Sequence, residues 1–310
     1  MTQPVVHLAL VGPTASGKSA VAMAAAHALG DLEIVSIDSM QVYRGLDIGT
    51  AKPTSRERAA VAHHLIDVTD PSDEWSVAQF QREARAAIAD VEARGKRALL
   101  VGGTGLYVQA VIDPLTFPPR DLVARTELER EAAEPDGLAR LFAELTRVDP
   151  DAAARIEATN DRRVIRALEV FRSTGRRFSS FGTGLQTFGA PVVPVHLVGI
   201  WLPRAVSARR IDARVAAMRA AGLVDEVRAL VARTALSRTA RQAIGYQEMI
   251  AHLDGTIPDL DDALARTADR TRSFARRQRM WFRRDPRITW LAADENPCLV
   301  LPALLALWSR

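Results

Sequence analysis

Short apolar runs alternate with stretches of helical spacing along the first third of the chain. Residues 5–11 are apolar apart from His7, and 33–37 and 98–101 are two further short apolar runs. Short runs bounded by turn residues predict buried strands. Between them, 19–29 is Ala-rich, and 76–93 places Val77, Phe80, Ala84, Ala87, Ile88 and Val91 on one helical face, with Gly95 as its stop. Residues 61–68 are expected to add another short strand. Strands alternating with helices predict a parallel α/β sheet.

The rhythm changes after Asp113. Pro114, Pro118 and Pro119 mark a break, and 121–178 then reads as almost wholly helical, with Asn160 and Gly175 as cap candidates. Residues 179–190 are polar and Gly-rich and predict a mobile loop. Residues 192–201 read as a strand returning to the sheet, 206–285 as helices and 288–291 as a last strand. The expected organisation is a core of 1–114 and 191–310 with a helical insertion at 115–190.

The first apolar run opens into Gly12-Pro13-Thr14-Ala15-Ser16-Gly17-Lys18-Ser19, a match to G-x-x-x-x-G-K-[ST] in strand–loop–helix context. Loop N–H groups, the Lys18 charge and the following helix N-terminus suit a di- or triphosphate. The Ser19 hydroxyl suits Mg²⁺. The fold class is therefore a P-loop NTPase-like parallel sheet flanked by helices, with the helical insertion. Asp38 follows the second strand and Gly102-Gly103-Thr104 the next. Ligands in such sheets bind at the carboxyl ends of strands, so Asp38 is a candidate metal-holding acid or general base. Its alternative is a turn cap. Thr104 is a candidate donor to a leaving-group oxygen, or simple turn chemistry.

Composition adds little until charge is located. The chain has 310 residues, 48% hydrophobic and 25% charged, with a net charge of +4. Residues 270–287 hold eight arginines against one acid, Asp285. Helical spacing aligns Arg272, Arg276, Arg279 and Arg283 in one stripe beside Phe274, Gln278 and Trp281. That stripe is either a phosphate-tracking surface or a solvated helix face. The single Cys298 excludes an intrachain disulfide and fits a reducing compartment. No leader or membrane-length apolar run is seen, so a cytoplasmic protein is expected. His63 and His64 alternate on a strand, which argues against a shared metal.

Read together, the motifs resemble one family. Gly12–Ser19, Asp38-Ser39-Met40-Gln41-Val42-Tyr43, Asp47-Ile48-Gly49-Thr50-Ala51-Lys52-Pro53, Gly102-Gly103-Thr104, Gly245-Tyr246 and Arg277-Gln278 with Trp281 occur in that order. The chain thus resembles the bacterial tRNA dimethylallyltransferases, or tRNA isopentenyltransferases, over nearly its whole length. The resemblance implies transfer of a dimethylallyl group from dimethylallyl diphosphate to N6 of adenosine 37, beside the anticodon of tRNAs reading codons that start with U. It implies that the P-loop holds the donor diphosphate with Mg²⁺ at Ser19. It assigns Asp38 as general base, Thr104 near the bridging oxygen, and Arg214, with Arg210 as alternative, to the diphosphate. It also implies tRNA contacts at Asp38, Ser39, Met40 and Gln41; at Arg162, Arg163 and Arg166; at Gln242, Gly245 and Tyr246; and at Arg276, Arg277, Gln278, Arg279, Trp281 and Arg283. The expected partners are the tRNA anticodon stem-loop and the donor, with no membrane and a monomeric chain. Ser19 often stands as Thr in the family, which keeps the hydroxyl. The readings set aside are a small-molecule kinase, a non-enzymatic RNA binder, and prenylation of free AMP.

Overall fold

The computed structural model describes residues 5–181, 185 and 187–308. Its strands are β1 (His7–Val11), β2 (Leu32–Ile37), β3 (His63–His64), β4 (Arg97–Gly102), β5 (Val195–Trp201) and β6 (Thr289–Ala292). Its helices are α1 (Lys18–Leu29), α2 (Ser55–Ala60), α3 (Val77–Ala93), α4 (Gly105–Ile112), α5 (Leu122–Ala133), α6 (Gly137–Val148), α7 (Pro150–Ala153), α8 (Asp161–Thr174), α9 (Arg204–Ala220), α10 (Leu223–Arg233), α11 (Arg238–Arg241), α12 (Tyr246–Leu253), α13 (Leu260–Phe282) and α14 (Leu301–Trp308).

The strands form one six-stranded sheet, ordered β3-β2-β4-β1-β5-β6, with every pairing parallel. Alternation sorts the strands' side chains onto two faces. Leu8 and Leu10 of β1 and Leu99 of β4 pack with Val21, Ala22 and Ala25 of α1 and with Leu304 and Trp308 of α14. Ala9, Val11 and Leu100 face the opposite way, toward Phe80 and Ile88 of α3 and the helices after β5. Both faces are covered, which is why these strands read as continuous apolar runs.

The chain divides into two compact units, Met1–Asp113 with Ala190–Arg310, and Pro114–Gly189. The second unit is helical around Leu128, Leu141, Leu145, Val164 and Leu168. Within it, Asn160 caps α8 by accepting from the Arg163 N–H at 3.2 Å, and Gly175 closes the helix in a left-handed conformation. Of the predicted polar loop, Phe178–Phe181 forms a 3-10 turn, while 182–184 and 186 lie outside the described residues. Among the described residues no helix is long and apolar enough to cross a membrane.

One expected element is shorter than predicted. The 61–68 strand contracts to His63–His64 because Leu65 and Asp67 adopt positive φ, 63° and 57°, which no strand accommodates. Asp67 is held there by Lys52 at 2.5 Å and Arg58 at 2.7 Å. The neighbouring sheet edge is tied by Glu33. Its buried carboxylate accepts bonds from His64 at 2.8 Å, Arg94 at 2.6 Å and Lys96 at 2.9 Å. Burial pushes the Glu33 carboxyl up, but the three bonds outweigh it and hold it at about 2, below the ordinary 4.5.

That depression fixes a sign. The ionised network stabilises the fold fully above pH 4.5, and the contribution is lost as pH falls toward 2. Glu33→Gln is expected to destabilise the protein at neutral pH by about 2 kcal/mol, less than the shift alone gives because solvent screens Arg94 and Lys96. Urea unfolding at about pH 7 and pH 3 checks this: the gap between variant and wild type should narrow at the lower pH. A gap independent of pH rules out the ion network as its source.

Candidate active site

The phosphate loop leaves β1 at Val11 and enters α1 at Lys18. Gly17 closes it at φ 87°, and a Cβ there would lie 2.3 Å from Pro297, so no other residue fits. Lys18 Nζ donates to the Pro13 carbonyl at 2.6 Å and reaches Ser16 Oγ at 3.4 Å. Burial pushes the Lys18 ammonium down to about 7; nearby Asp38 opposes the shift and Arg214 adds to it. Ser19 is exposed and lines the cleft beside the loop.

Asp38 stands just past the end of β2. Its Oδ1 accepts from the N–H groups of Met40 at 2.8 Å and Gln41 at 3.3 Å. The turn-capping reading is therefore correct for one oxygen. Among the described residues Oδ2 has no bonded partner, and the carboxylate opens onto the cleft. Gln41 accepts from Ser36 Oγ at 2.7 Å and donates to the Thr50 carbonyl at 3.1 Å. It thereby ties the end of β2 to the 47–53 segment.

Past β4, Gly103 and Thr104 turn into α4. Gln278 of α13 reaches into this turn: its Oε1 accepts from the Thr14 N–H at 2.8 Å, and its Nε2 donates to the Gly103 carbonyl at 2.9 Å. Arg214 of α9 donates to Thr14 Oγ1 at 3.2 Å. Burial lowers the pKa of Arg214, and Asp38 partly restores it. Arg210 also lines the phosphate cleft, but it donates to the Glu295 carbonyl at 3.5 Å.

Two clefts meet here. The first, of about 380 Å³, is walled by the phosphate loop, Lys18, Ser19, Lys52 and Arg210. The second, of about 300 Å³, is walled by Ser39, Met40, Thr104, Met218, Gln242 and Arg277. Thr14, Asp38, Thr50, Arg214 and Phe274 line both. The cationic end of one cleft and the mouth of the other thus share a carboxylate. Among the described residues no group of three His, Cys, Asp or Glu side chains is placed to hold a metal. The Ser19 hydroxyl and the Asp38 carboxylate are hard oxygen donors lining the phosphate cleft, which fits a Mg²⁺ ion bound mainly through substrate phosphates.

The structure corrects several expected RNA contacts. Tyr246 is fully buried; its ring lies under Gly49, where a Cβ would come within 2.3 Å, and its hydroxyl donates to Glu226 at 2.5 Å. Gln278 is buried and committed to Thr14 and Gly103. Arg279 is buried with its guanidinium 4.8 Å from the Trp201 ring centroid. These three are buried with their polar groups bonded or stacked inside the protein. The expected four-arginine stripe is broken accordingly, since Arg272 is also paired, with Asp269 at 2.5 Å and with Asp212. Arg166, in the second unit, donates to Glu169 at 2.5 Å and to the Pro118 carbonyl at 2.8 Å, so it stitches that unit together. Arg162, Arg163, Arg276, Arg277 and Arg283 are exposed, and Trp281 is half-buried beside Gly105. Gly245 caps α12 at φ 92°, with its N–H donating to Glu248 at 2.8 Å.

Three site residues escape a linear reading. Lys52, almost wholly buried, bonds Asp47 at 2.6 Å, Asp67 at 2.5 Å and the Tyr43 carbonyl at 2.5 Å. Glu226 accepts from the Ile48 N–H at 2.9 Å and the Asp47 N–H at 3.2 Å, as well as from Tyr246. Phe274 walls both clefts. Lys52 lies inside a quoted motif and was findable there. Glu226 sits in an ordinary amphipathic helix with no local signal to mark it, and Phe274 was read only as part of the apolar stripe beside the arginines.

Comparison with known proteins points to one family. A family model described as IPP transferase matches residues 41–285, and one described as isopentenyl transferase matches 5–70. A tRNA dimethylallyltransferase of Kineococcus radiotolerans is 50% identical over 303 residues, covering 96% of this chain and 94% of the relative. The tRNA isopentenylpyrophosphate transferase of Bacillus halodurans superposes with a TM-score of 0.68 at 38% identity, covering 98% of each chain. A eukaryotic dimethylallyltransferase acting on tRNA superposes at 0.77 with 26% identity, covering 94% of this chain and 75% of its own. The phosphate loop, the Asp38 turn and the Gly103–Thr104 turn occupy adjacent strand ends, and the matches run through all of them: the chain belongs to the IPP transferase family.

Proposed function

We propose that this chain transfers the dimethylallyl group of dimethylallyl diphosphate to N6 of adenosine 37 in tRNAs reading codons that start with U, releasing diphosphate. The observation that carries this reading is Asp38 at the junction of two clefts, one cationic and one facing Gln242 and Arg277. A reaction that joins a small diphosphate donor to a macromolecular acceptor needs such a junction.

On this reading the donor diphosphate lies along the phosphate loop, against Lys18, Arg214 and Arg210. The adenine enters through the second cleft. An anticodon-loop base is stacked, so it is extruded to reach the junction. The exocyclic amine is weakly nucleophilic because its lone pair is conjugated. Asp38 Oδ2 takes the N6 proton as the N6–carbon bond forms. The carbon–oxygen bond breaks and its electron pair leaves with the diphosphate. Lys18, Arg214, the loop N–H groups and the Thr104 hydroxyl stabilise that developing charge. The Ser19 hydroxyl would hold a Mg²⁺ ion, which would supply further charge neutralisation at the diphosphate. With tRNA as acceptor the workplace is the cytoplasm. One chain carries both clefts, so a monomer suffices.

Asp38→Asn keeps the oxygen that caps the turn and removes the base. It is expected to lower the single-turnover rate by about 10²–10⁴ while tRNA affinity stays near wild type. Quenched-flow assay with nucleoside mass spectrometry measures the first, filter binding the second. A fully active variant would remove Asp38 from its role.

Lys18 gives a pH prediction. In the free protein its ammonium is held near 7, so above that pH the neutral amine prevails. A bound diphosphate favours the charged form and raises the pKa. Binding of dimethylallyl diphosphate at about pH 8 should therefore take up close to one proton, and affinity should weaken as pH rises further. Calorimetry in buffers of different ionisation enthalpy reads this directly. Binding without proton uptake would contradict it.

A further inference from the structure

Two helix faces run along both clefts in the same order. On α9, Arg210, Arg214 and Met218 recur every four residues and so share a face. Arg210 lines the phosphate cleft, Arg214 lines both, and Met218 lines the second alone. On α13, Gln278 lines the phosphate cleft, Phe274 both, and Thr271 and Thr267 the second alone. Along these two faces the wall thus changes from polar and cationic to apolar. The threonines do not interrupt the change, because each hydroxyl bonds within its own helix. Thr267 donates to the Ala263 carbonyl at 2.9 Å and Thr271 to the Thr267 carbonyl at 2.7 Å. Arg270 also lines the second cleft, but Glu248 neutralises it.

The spacing matches a short chain. Residues four apart on a helix stand about 6 Å apart along its axis. Arg214 is tied to Thr14 of the phosphate loop at 3.2 Å, so Met218 stands one turn beyond the diphosphate end. In a dimethylallyl diphosphate the bridging oxygen and the farther methyl carbon lie about 5 Å apart at ordinary bond lengths. A five-carbon group whose bridging oxygen lies beside Arg214 therefore ends against Met218. The cleft ends in packed protein there. Met218 is 8% exposed, Val215 7%, and Thr267 of the same cleft 2%. Met218 and Val215 belong to the buried core that also holds Leu223 and Val227. Interiors packed at that density feel even one added methylene. The polar mouth of the cleft, with Ser39, Gln242 and Arg277, is left for the acceptor base.

We propose that Val215, Met218 and Phe274 hold the dimethylallyl group and that Met218 sets its length, so that the protein selects a five-carbon allylic diphosphate against longer homologues; this rests on the functional reading above. Met218 is a specificity determinant and takes no part in the bond changes.

The probe is a six-carbon homologue of the donor, in which the methyl group farther from the diphosphate is lengthened to ethyl. The value of kcat/KM for each of the two diphosphates is measured on one preparation with the same unmodified tRNA, by nucleoside mass spectrometry. The ratio of the two values does not depend on the folded fraction. Wild type is expected to prefer dimethylallyl diphosphate by about tenfold or more, the usual discrimination against one extra methylene in an apolar pocket. Met218→Ala removes the stop and should bring the ratio near one. Met218→Val, a smaller truncation that disturbs the core less, should give a ratio between the two. A merely structural role for Met218 lowers both rates together and leaves the ratio at its wild-type value. That result in Met218→Ala, or in Met218→Val should the first variant not fold, overturns the proposal. A wild-type ratio near one overturns it without any variant. Binding of each diphosphate to the wild type without tRNA separates the two readings. Absence of transfer from both, while dimethylallyl diphosphate still binds more tightly than its homologue, counts against the functional reading alone. Transfer from both at equal efficiency counts against the Met218 pocket alone. Absence of transfer together with equal binding overturns both.

Discussion

One buried amide holds the site together. Gln278 accepts from the Thr14 N–H and donates to the Gly103 carbonyl, so a side chain of α13 joins the phosphate loop to the turn after β4. The contact requires a donor and an acceptor on one planar group, which an amide supplies. A carboxylate would lose the donor and bury a charge. An aliphatic residue would leave two backbone groups unpaired. Arg214 adds a second tie to the same loop through Thr14 Oγ1. The phosphate loop is therefore fixed both by its own glycines and by two helices distant in sequence.

The same economy shapes the wall opposite. The 47–53 segment has little regular structure, yet Thr50 lines both clefts. Glu226 takes the Asp47 and Ile48 N–H groups, Tyr246 presses on Gly49, and Lys52 anchors the far end on Asp47 and Asp67. A loop without a ladder needs its backbone groups answered by side chains, and here buried charged residues answer them. Burial pushes the Tyr246 phenol up and the Glu226 carboxylate beside it adds to that, so the hydroxyl remains a donor. Asp38 then faces a wall fixed on each side, which preorganised electrostatics requires.

Much of this was legible in the sequence because the fold's period and the site's loops are local properties. β1, β2 and β4 were visible as apolar runs, and the phosphate loop, Asp38 and Gly103-Thr104 follow from their ends. The two-residue β3 was overestimated, since positive φ at Leu65 and Asp67 depends on bonds from Lys52 and Arg58. Glu226, Phe274 and the tie made by Gln278 were not legible as such. The bonds of Glu226 and Gln278 reach 178 and 264 positions along the chain and Phe274 faces both clefts, and no pattern in a single helix announces them.

The arginine run shows why charge counted along a sequence is a weak guide to a surface. Eight arginines lie between 270 and 287, and helical spacing aligned four of them in one stripe. In three dimensions their partners separate them into different roles. Arg270, Arg272 and Arg287 are neutralised by acids. Arg284 lies 4.2 Å from the Trp281 ring centroid, and Arg276 and Arg277 face solvent. Arg279 turns inward onto Trp201 without an acid, and Arg283 covers the same ring. The charge left to the surface is what remains after internal pairing, and position relative to acids and aromatic rings, rather than the number of arginines, decides where it lies.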